Sequence, residues 1–384
     1  MEVTCILNLY MKKVGILGGG QLGRMLLQAA ANYPVITYIL ENDTHCPAGH
    51  LAHHFIKGDF KKYDDVYQFG KDLDAVTIEI ESVNIDALEQ LEKEGVKIYP
   101  TVSSLRIIKN KIRQKEFYKE HDIPTSSFVV TQNKHEIHGH AHILPAVHKI
   151  GEGGYDGKGV IPILTAADSN GGFDEPAVLE KRVEIDKEIS MIIAVSNKGE
   201  KVFYPPVEMV FDPVLNLLDY QISPANLDKK LIWKIEAVAM AVVNNLNSSG
   251  IFAVELFIEK NGNVLVNETA PRVHNSGHHT IEANYSSQFD MLWRIILDYP
   301  LGSTRHICPA SIVNIIGSEG SEGTPLYDGI DKVLALDNVF LHIYGKHITK
   351  PGKKMGHATI LSNDPQELIH TAKKIKTLLK VTAL

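Results

Sequence analysis

The 384 residues exceed what one hydrophobic core sustains and point to two or three domains. With 44% hydrophobic and 22% charged residues, the composition excludes a disordered or collagen-like chain. The 39 basic against 46 acidic residues give a net charge of −7, which excludes a chain-wide attraction for nucleic acid or anionic membrane but leaves room for a local anion pocket.

Three distant cysteines, Cys5, Cys46 and Cys308, form neither a disulfide framework nor a zinc spacing, so a reducing, cytoplasmic setting is expected. No run of eighteen apolar residues suggests a membrane span. Residues 1–10 lack the basic start and cleavage site of a signal peptide. They read as a dispensable extension, disordered or not translated, with Met11 as an alternative start.

From Lys12 the chain reads strand (KKVGILGGG), helix (QLGRMLLQAAANY), strand (PVITYIL), with further strand-like runs ending at Ile56 and over 75–80 and a helix before VKIYP. Alternation of this length predicts a parallel α/β sheet. A basic helix is expected over 103–121, and a helix over 228–247 whose apolar face, with Trp233, packs into the core. Strands are expected at 177–181, 188–195, 201–207, 251–259 and 262–268, paired antiparallel through the turns at 197–200 and 261–263. The tail from about 305 reads as short strands with glycine turns and an amphipathic helix at 364–380.

Gly18-x-Gly20-x-x-Gly23 follows a strand and opens a helix, and Glu41 ends the next strand. This matches the dinucleotide fingerprint, in which glycines let backbone approach a pyrophosphate and an acid takes the ribose hydroxyls. The same turn also offers a helix N-terminus to some other anion.

Lys149 precedes Gly151 to Gly159, where five of nine residues are glycine. Successive backbone N–H groups in such a loop can cradle polyphosphate. Glu180-Lys181-Arg182-Val183 ends a strand that, as an edge, would offer backbone groups to an adenine, with Glu188 for a ribose. Glu255 sits in an apolar strand (IFAVELFI) and Glu268 in the next (VLVNET). Acids there are costly to bury unless paired or ligated, and with Asn267 they are suitable hard oxygen ligands for Mg²⁺. Arg272, His274, Asn275 and Ser276 follow in one irregular loop, where Arg272 can neutralise a transferring phosphoryl group.

Phosphate loop, adenine strand and two-acid metal site in this order resemble the ATP-grasp enzymes. GGGQLGRM at 18–25, GGYDGKG at 153–159, NETAPRVHNSGH at 267–278 and the Lys350–His357 segment resemble, within them, the 5-(carboxyamino)imidazole ribonucleotide synthase family. The resemblance implies an α/β chain, α+β in part. A Rossmann-like preATP-grasp domain would span 11–104, an ATP-grasp domain 105–302 with its lid around 120–200, and a small β-rich domain 303–384. It implies a cytoplasmic, dimeric ligase that carboxylates 5-aminoimidazole ribonucleotide (AIR) with bicarbonate and ATP through carboxyphosphate, using Mg²⁺ or Mn²⁺. Lys111 and Lys149 would contact the nucleotide, and Gly153, Gly154, Tyr155, Asp156, Gly157, Lys158 and Gly159 would form the lid. Glu180 to Val183 and Glu188 would hold adenosine, with Glu208 assigned beside them. Glu255 and Glu268 would bind metal next to Asn267. Gln21, Leu22, Glu81, Tyr155 and Arg272 would face the ribonucleotide, and Lys346, Lys353 and Lys354 its 5′-phosphate. Asp156 or His274 would handle the amine proton. Lys111 and Lys350 stand where relatives often carry arginine.

The alternatives are a sister ATP-grasp ligase, such as the formate-dependent glycinamide ribonucleotide transformylase or biotin carboxylase, an NAD-dependent dehydrogenase, and an inactive nucleotide-binding regulator. Clustered histidines (His50, His53 and His54; His135, His138, His140 and His142) suggest zinc, but no acid or cysteine completes a site, and a solvated loop is expected.

Overall fold

A computed structural model describes residues 11–154, 159–211 and 218–384; the extension 1–10 and the loop residues Tyr155 to Lys158 lie outside them. Five parallel strands, β1 (Lys12–Leu17), β2 (Val35–Glu41), β3 (His54–Lys57), β4 (Ala75–Ile78) and β5 (Lys97–Tyr99), form a sheet in the order β3-β2-β1-β4-β5. Parallel neighbours need crossovers, and α1 (Gln21–Ala30), α2 (Tyr63–Gly70) and α3 (Ile85–Lys93) provide them. The strand order reverses between β1 and β4. The crevice beyond their carboxyl ends is therefore where such a sheet takes a ligand.

The expected helix over 103–121 is two helices, α4 (Val102–Ile108) and α5 (Lys111–Glu120). Asn110 breaks it, because its side chain accepts from the N–H groups of Ile112 and Arg113 and so caps α5. Four antiparallel strands follow: β6 (Phe128–Thr131), β7 (Ala146–Ile150), β8 (Val160–Ile163) and β9 (Ala177–Lys181), in the order β6-β9-β7-β8. β9 is thus interior, not the edge strand expected of Glu180 to Val183. Both of its sides are paired, and even the N–H groups of Lys181 and Arg182 donate to Ser127 and Pro145.

The largest sheet begins with β10 (Ile185–Val195), β11 (Lys201–Phe203), β12 (Val207–Phe211) and β13 (Leu218–Ser223). It continues through β14 (Gly250–Glu259), β15 (Val264–Ala270) and β16 (Ala310–Ile316). Beyond β17 (Pro325–Asp328), β18 (Val339–Ile343) and β19 (Lys354–Leu361) complete it, and β20 (Lys380–Ala383) pairs with β17. Its order is β15-β14-β10-β12-β13-β16-β19-β18, with β11 beside β10, so the C-terminal strands extend the sheet that carries the two acids.

The remaining helices are α6 (Lys229–Leu246), α7 (Thr280–Ala283), α8 (Gln288–Leu297), α9 (Ile330–Leu334) and α10 (Pro365–Leu378). Strand alternation divides the packing. Ile189, Met191, Ile193, Val254 and Leu256 face α6, whereas Ile192, Ala194 and Ala253 share a core with α1 and α8. Trp293 on α8 is fully buried there and donates its indole N–H to the Leu26 carbonyl at 2.7 Å. Trp233 departs from expectation. It is 68% exposed, because α6 buries Ile235, Ala239, Val242, Val243 and Leu246 and Trp233 points from the opposite side.

Candidate functional site

The glycine turn after β1 does not keep its helix N-terminus for a pyrophosphate. Glu79, just beyond β4, places its carboxylate there and accepts from the N–H groups of Gly20 at 2.7 Å and Gly23 at 2.8 Å. A Cβ on Gly18 or Gly20 would lie 2.6 Å from Glu79 atoms, so the glycines are needed for this internal carboxylate. Burial pushes the Glu79 pKa up against the pull of those two N–H groups. Glu41, the expected ribose acid, instead accepts from the Gly19 N–H at 3.0 Å and the Asn42 N–H at 2.8 Å. The fingerprint is present, but its anion slot and its acid are occupied by the chain itself.

Three parts of the chain meet at the rim of this turn. Gln21 donates to Asn275 Oδ1 at 3.3 Å and accepts from Lys346 Nζ at 2.7 Å. Lys346 also donates to the Lys354 carbonyl at 2.7 Å. Arg272 forms an ion pair with Glu81 at 2.8 Å, tying the loop after β15 to the loop after β4. Leu22 does not present its side chain, which is buried in the core with Met25 and Leu26. Lys353 turns its ammonium to the Ile348 carbonyl at 2.7 Å.

The acid pair adjoins the same loop through His274, which lies beside Glu255. Glu255 and Glu268 are direct cross-strand partners, but Leu256 pairs with Val266, so Asn267 is an extra residue in β15. Such a bulge lets consecutive side chains serve one site. Lys149 donates to Asn267 Oδ1 at 2.8 Å, and Lys111 meets Glu268 at 2.5 Å. Burial, with Glu268 and Glu188 nearby, pushes Glu255 up, while Lys111 holds Glu268 well below the usual carboxylate range. Glu188, raised to about 7 by burial, lies on the same face of β10. Glu208 does not. It pairs across from Ile189, on the α6 face, and forms an ion pair with Lys187 at 2.6 Å.

A second buried network supports the first. Glu180 accepts from Ser126 Oγ at 2.7 Å and lies 2.9 Å from Lys115 and 3.1 Å from Lys149. Burial raises its pKa, and Lys149 with Lys115 more than offsets this, so it stays an anion. Its carboxylate is a counter-ion for the two lysines. The residues Val183 and Arg182 beyond β9 remain beside it. Sequence reasoning missed Lys115 and Glu79. Lys115 lies one helical turn after Lys111, a spacing that puts both ammonium groups on one face. Glu79 is the other acid of the IEIE run from which only Glu81 was chosen.

At the base of the glycine loop, Gly153 and Gly159 take φ of 84° and 85°, and the Lys111 N–H donates to the Gly151 carbonyl at 2.8 Å. Tyr155, Asp156, Gly157 and Lys158 lie outside the described residues. In the loop after β15, His274 Nε2 lies 3.5 Å from Glu255, and Ser276 Oγ is 2.7 Å from Ser190 Oγ.

Two facing carboxylates and an amide oxygen fit a hard divalent cation, whose charge would offset the burial and the carboxylate repulsion that raise Glu255. Among the described residues no cluster of three or more His, Cys, Asp or Glu could hold a metal, so the remaining ligands would come from phosphates and water. Residues 134–143 form a 3₁₀ segment kinked at His140, and His138 bonds Ser169 at 2.8 Å. His53 bonds Thr37 and His50 contacts Arg24. His140 and His142 meet edge to face with ring centroids 6.1 Å apart, and no acid or cysteine joins them among the described residues.

Residues 11–109 match the ribonucleotide synthetase preATP-grasp domain family, 116–289 the ATP-grasp domain family, and 310–371 the phosphoribosylaminoimidazole carboxylase C-terminal domain family. The chain is 33% identical over 376 residues to N5-carboxyaminoimidazole ribonucleotide synthase of Aquifex aeolicus, covering 96% of this chain and 98% of the relative. It is 35% identical to the chloroplastic phosphoribosylaminoimidazole carboxylase of Vigna aconitifolia over 93% of this chain, and spans 65% of that longer protein. The crystal structure of N5-carboxyaminoimidazole ribonucleotide synthetase from Thermotoga maritima superposes with a TM-score of 0.89 at 37% identity, covering 97% of this chain and all of the other. The Aspergillus clavatus synthase in complex with ADP and AIR gives a TM-score of 0.87 at 31% identity, covering 96% and 98%.

Proposed function

Because the chain belongs to the N5-carboxyaminoimidazole ribonucleotide synthase family of ATP-grasp ligases, we propose that it joins bicarbonate to the amine of AIR at the expense of ATP. One observation carries the reading: the loop after β15 links the two groups, because His274 lies 3.5 Å from Glu255 of the acid pair while Arg272 and Asn275 of the same loop meet Glu81 and Gln21, and Gln21 holds Lys346. A nucleoside triphosphate on one side and a ribonucleotide on the other would meet there.

Bicarbonate is a poor electrophile, so its oxygen first takes the γ-phosphoryl group, giving carboxyphosphate and ADP. Lys111 and Lys149 bind the phosphates, and Arg272 offsets the charge on the transferring group. Glu255, Glu268 and Asn267 would hold Mg²⁺ or Mn²⁺, which supplies charge neutralisation for the phosphates when bound. The AIR amine then attacks the carboxyl carbon, or CO₂ released from it, and phosphate departs with the C–O bond electrons. The amine proton passes to a nearby base, for which Asp156 and His274 are the candidates. Carboxyphosphate hydrolyses readily, so the reaction requires that water be kept from the site. Gln21, Glu81 and Lys354 orient the ribonucleotide, and Lys346 meets its 5′-phosphate. A homodimeric, cytoplasmic enzyme completes the reading; no helix among the described residues is long and apolar enough to cross a membrane.

The test is ADP release in the presence of bicarbonate, with and without AIR. AIR should stimulate release, and ¹³C-bicarbonate should appear in the ribonucleotide product. No stimulation by AIR sinks the proposal, stimulation by glycinamide ribonucleotide with formate gives the sister ligase, and NAD reduction gives the dehydrogenase.

A further inference from the structure

A stack of histidines behind the substrate lysines takes no part in the chemistry above. His342 on β18 and His357 on β19 are direct cross-strand partners, with rings 4.5 Å apart and within 6° of parallel. Glu282 on α7 fixes the outer ring, its Oε1 2.6 Å from His342 Nε2. His278 leans on His357 at 4.7 Å and meets the Tyr344 ring edge-on at 78°. His357 Nδ1 lies 2.9 Å from the Tyr344 hydroxyl. His278, His357 and Tyr344 are buried, and burial holds both histidines well below the usual imidazole range, so these two rings are neutral.

The consequence reaches the site through one glycine. Gly345 takes φ of 76°, a conformation other residues rarely adopt, and turns the chain directly after Tyr344. Lys346 then lies over the Tyr344 ring, its ammonium 5.5 Å from the centroid, while it donates to Gln21 and to the Lys354 carbonyl. A lysine side chain is long and loses much rotamer freedom when it binds. A ring face that already holds the ammonium lowers that cost, and a neutral stack behind the ring adds no repulsion.

We propose that Tyr344 and His357 are positioning residues for the phosphorylated ribonucleotide: His357 fixes the phenol, and the fixed ring holds the Lys346 ammonium at the rim of the Gly18 turn. The inference rests on the reading that Lys346 meets the substrate phosphate.

Steady-state kinetics of the full chain test both, using Tyr344→Leu, Tyr344→Phe, Lys346→Met and the Tyr344→Leu/Lys346→Met double variant. Tyr344→Leu should raise the KM for AIR about tenfold and leave the KM for ATP within about twofold. Tyr344→Phe keeps the ring and should stay within about threefold. In the Lys346→Met background, Tyr344→Leu should add nothing to the KM for AIR. If Lys346→Met leaves that KM unchanged, the substrate reading of Lys346 fails. If Lys346→Met raises it but Tyr344→Leu does not, or raises it equally in both backgrounds, the positioning role fails alone. Should Tyr344→Leu not fold, His357→Phe keeps the stack and removes the bond to the phenol. A rise of about threefold in the KM for AIR is then expected, and no rise overturns the proposal.

Discussion

At the scale of single residues, the glycine turn turns on Glu79. A helix N-terminus attracts anions through its free N–H groups, and here the Glu79 carboxylate, just beyond β4, accepts from those of Gly20 and Gly23. Glu79→Ala should open that slot. Sulfate or phosphate should then raise the thermal midpoint of the variant by several degrees and leave the parent protein nearly unmoved. Equal stabilisation of both proteins would show that Glu79 does not fill an anion site. Glu188 gives a pH prediction of the opposite kind. Its folded pKa, raised to about 7 by burial, lies above the unfolded value, so the native state binds more protons than the unfolded state between those values. The stability tied to Glu188 is therefore whole below about pH 4.5 and is lost as pH rises through 7. Glu188→Gln should flatten that decline and gain about 1–2 kcal/mol at pH 8, measured by urea unfolding at pH 5 and pH 8 without ligands. An unchanged slope would place the titration elsewhere.

At the scale of elements, Lys115 on α5 ties that helix to the four-stranded sheet. Lys115 is almost fully buried, its pKa lowered to about 8 by burial, and it reaches Glu180 on β9 and Thr125 and Ser126 before β6. Removing one partner of such a pair leaves charge with less compensation. Lys115→Met should cost about 3 kcal/mol in urea unfolding, and a loss under about 0.5 kcal/mol would mean that Lys149 and Ser126 suffice for Glu180. This network also marks the limit of what sequence made legible. The parallel sheet, the antiparallel hairpin of β14 and β15 and the pairing of Glu255 with Glu268 follow from local pattern. The bulge that brings Asn267 round, the interior place of β9 and the face of Glu208 depend on which strands become neighbours, and spacing along the chain does not contain that. Trp233 is a simpler case: its place on the solvent side of α6 outweighs its apolar character.

At the scale of the whole molecule, the site exists only where distant parts of the chain meet. Gln21 is the clearest case, because one amide bridges Asn275, which follows the two-acid strands, and Lys346, which precedes β19. The net charge of −7 says nothing of this arrangement, since Lys111, Lys115 and Lys149 are gathered around Glu180 and Glu268, acids that serve as their partners. Gln21→Leu keeps the size of the side chain and removes both bonds. It should raise the KM for AIR at least fivefold, since Lys346 and Asn275 lose a common anchor at the substrate rim. The proposed ATP half of the site comprises Lys111, Lys149 and the β14–β15 pair, none of which touches Gln21 in the hydrogen-bonded network, so on that proposal the KM for ATP should stay within about twofold. The thermal midpoint should fall by only a few degrees, because the apolar core shared by α1, α8 and the large sheet is untouched. Equal rises in both KM values, or a large fall in the midpoint, would make Gln21 a structural joint between domains and not part of the ribonucleotide rim.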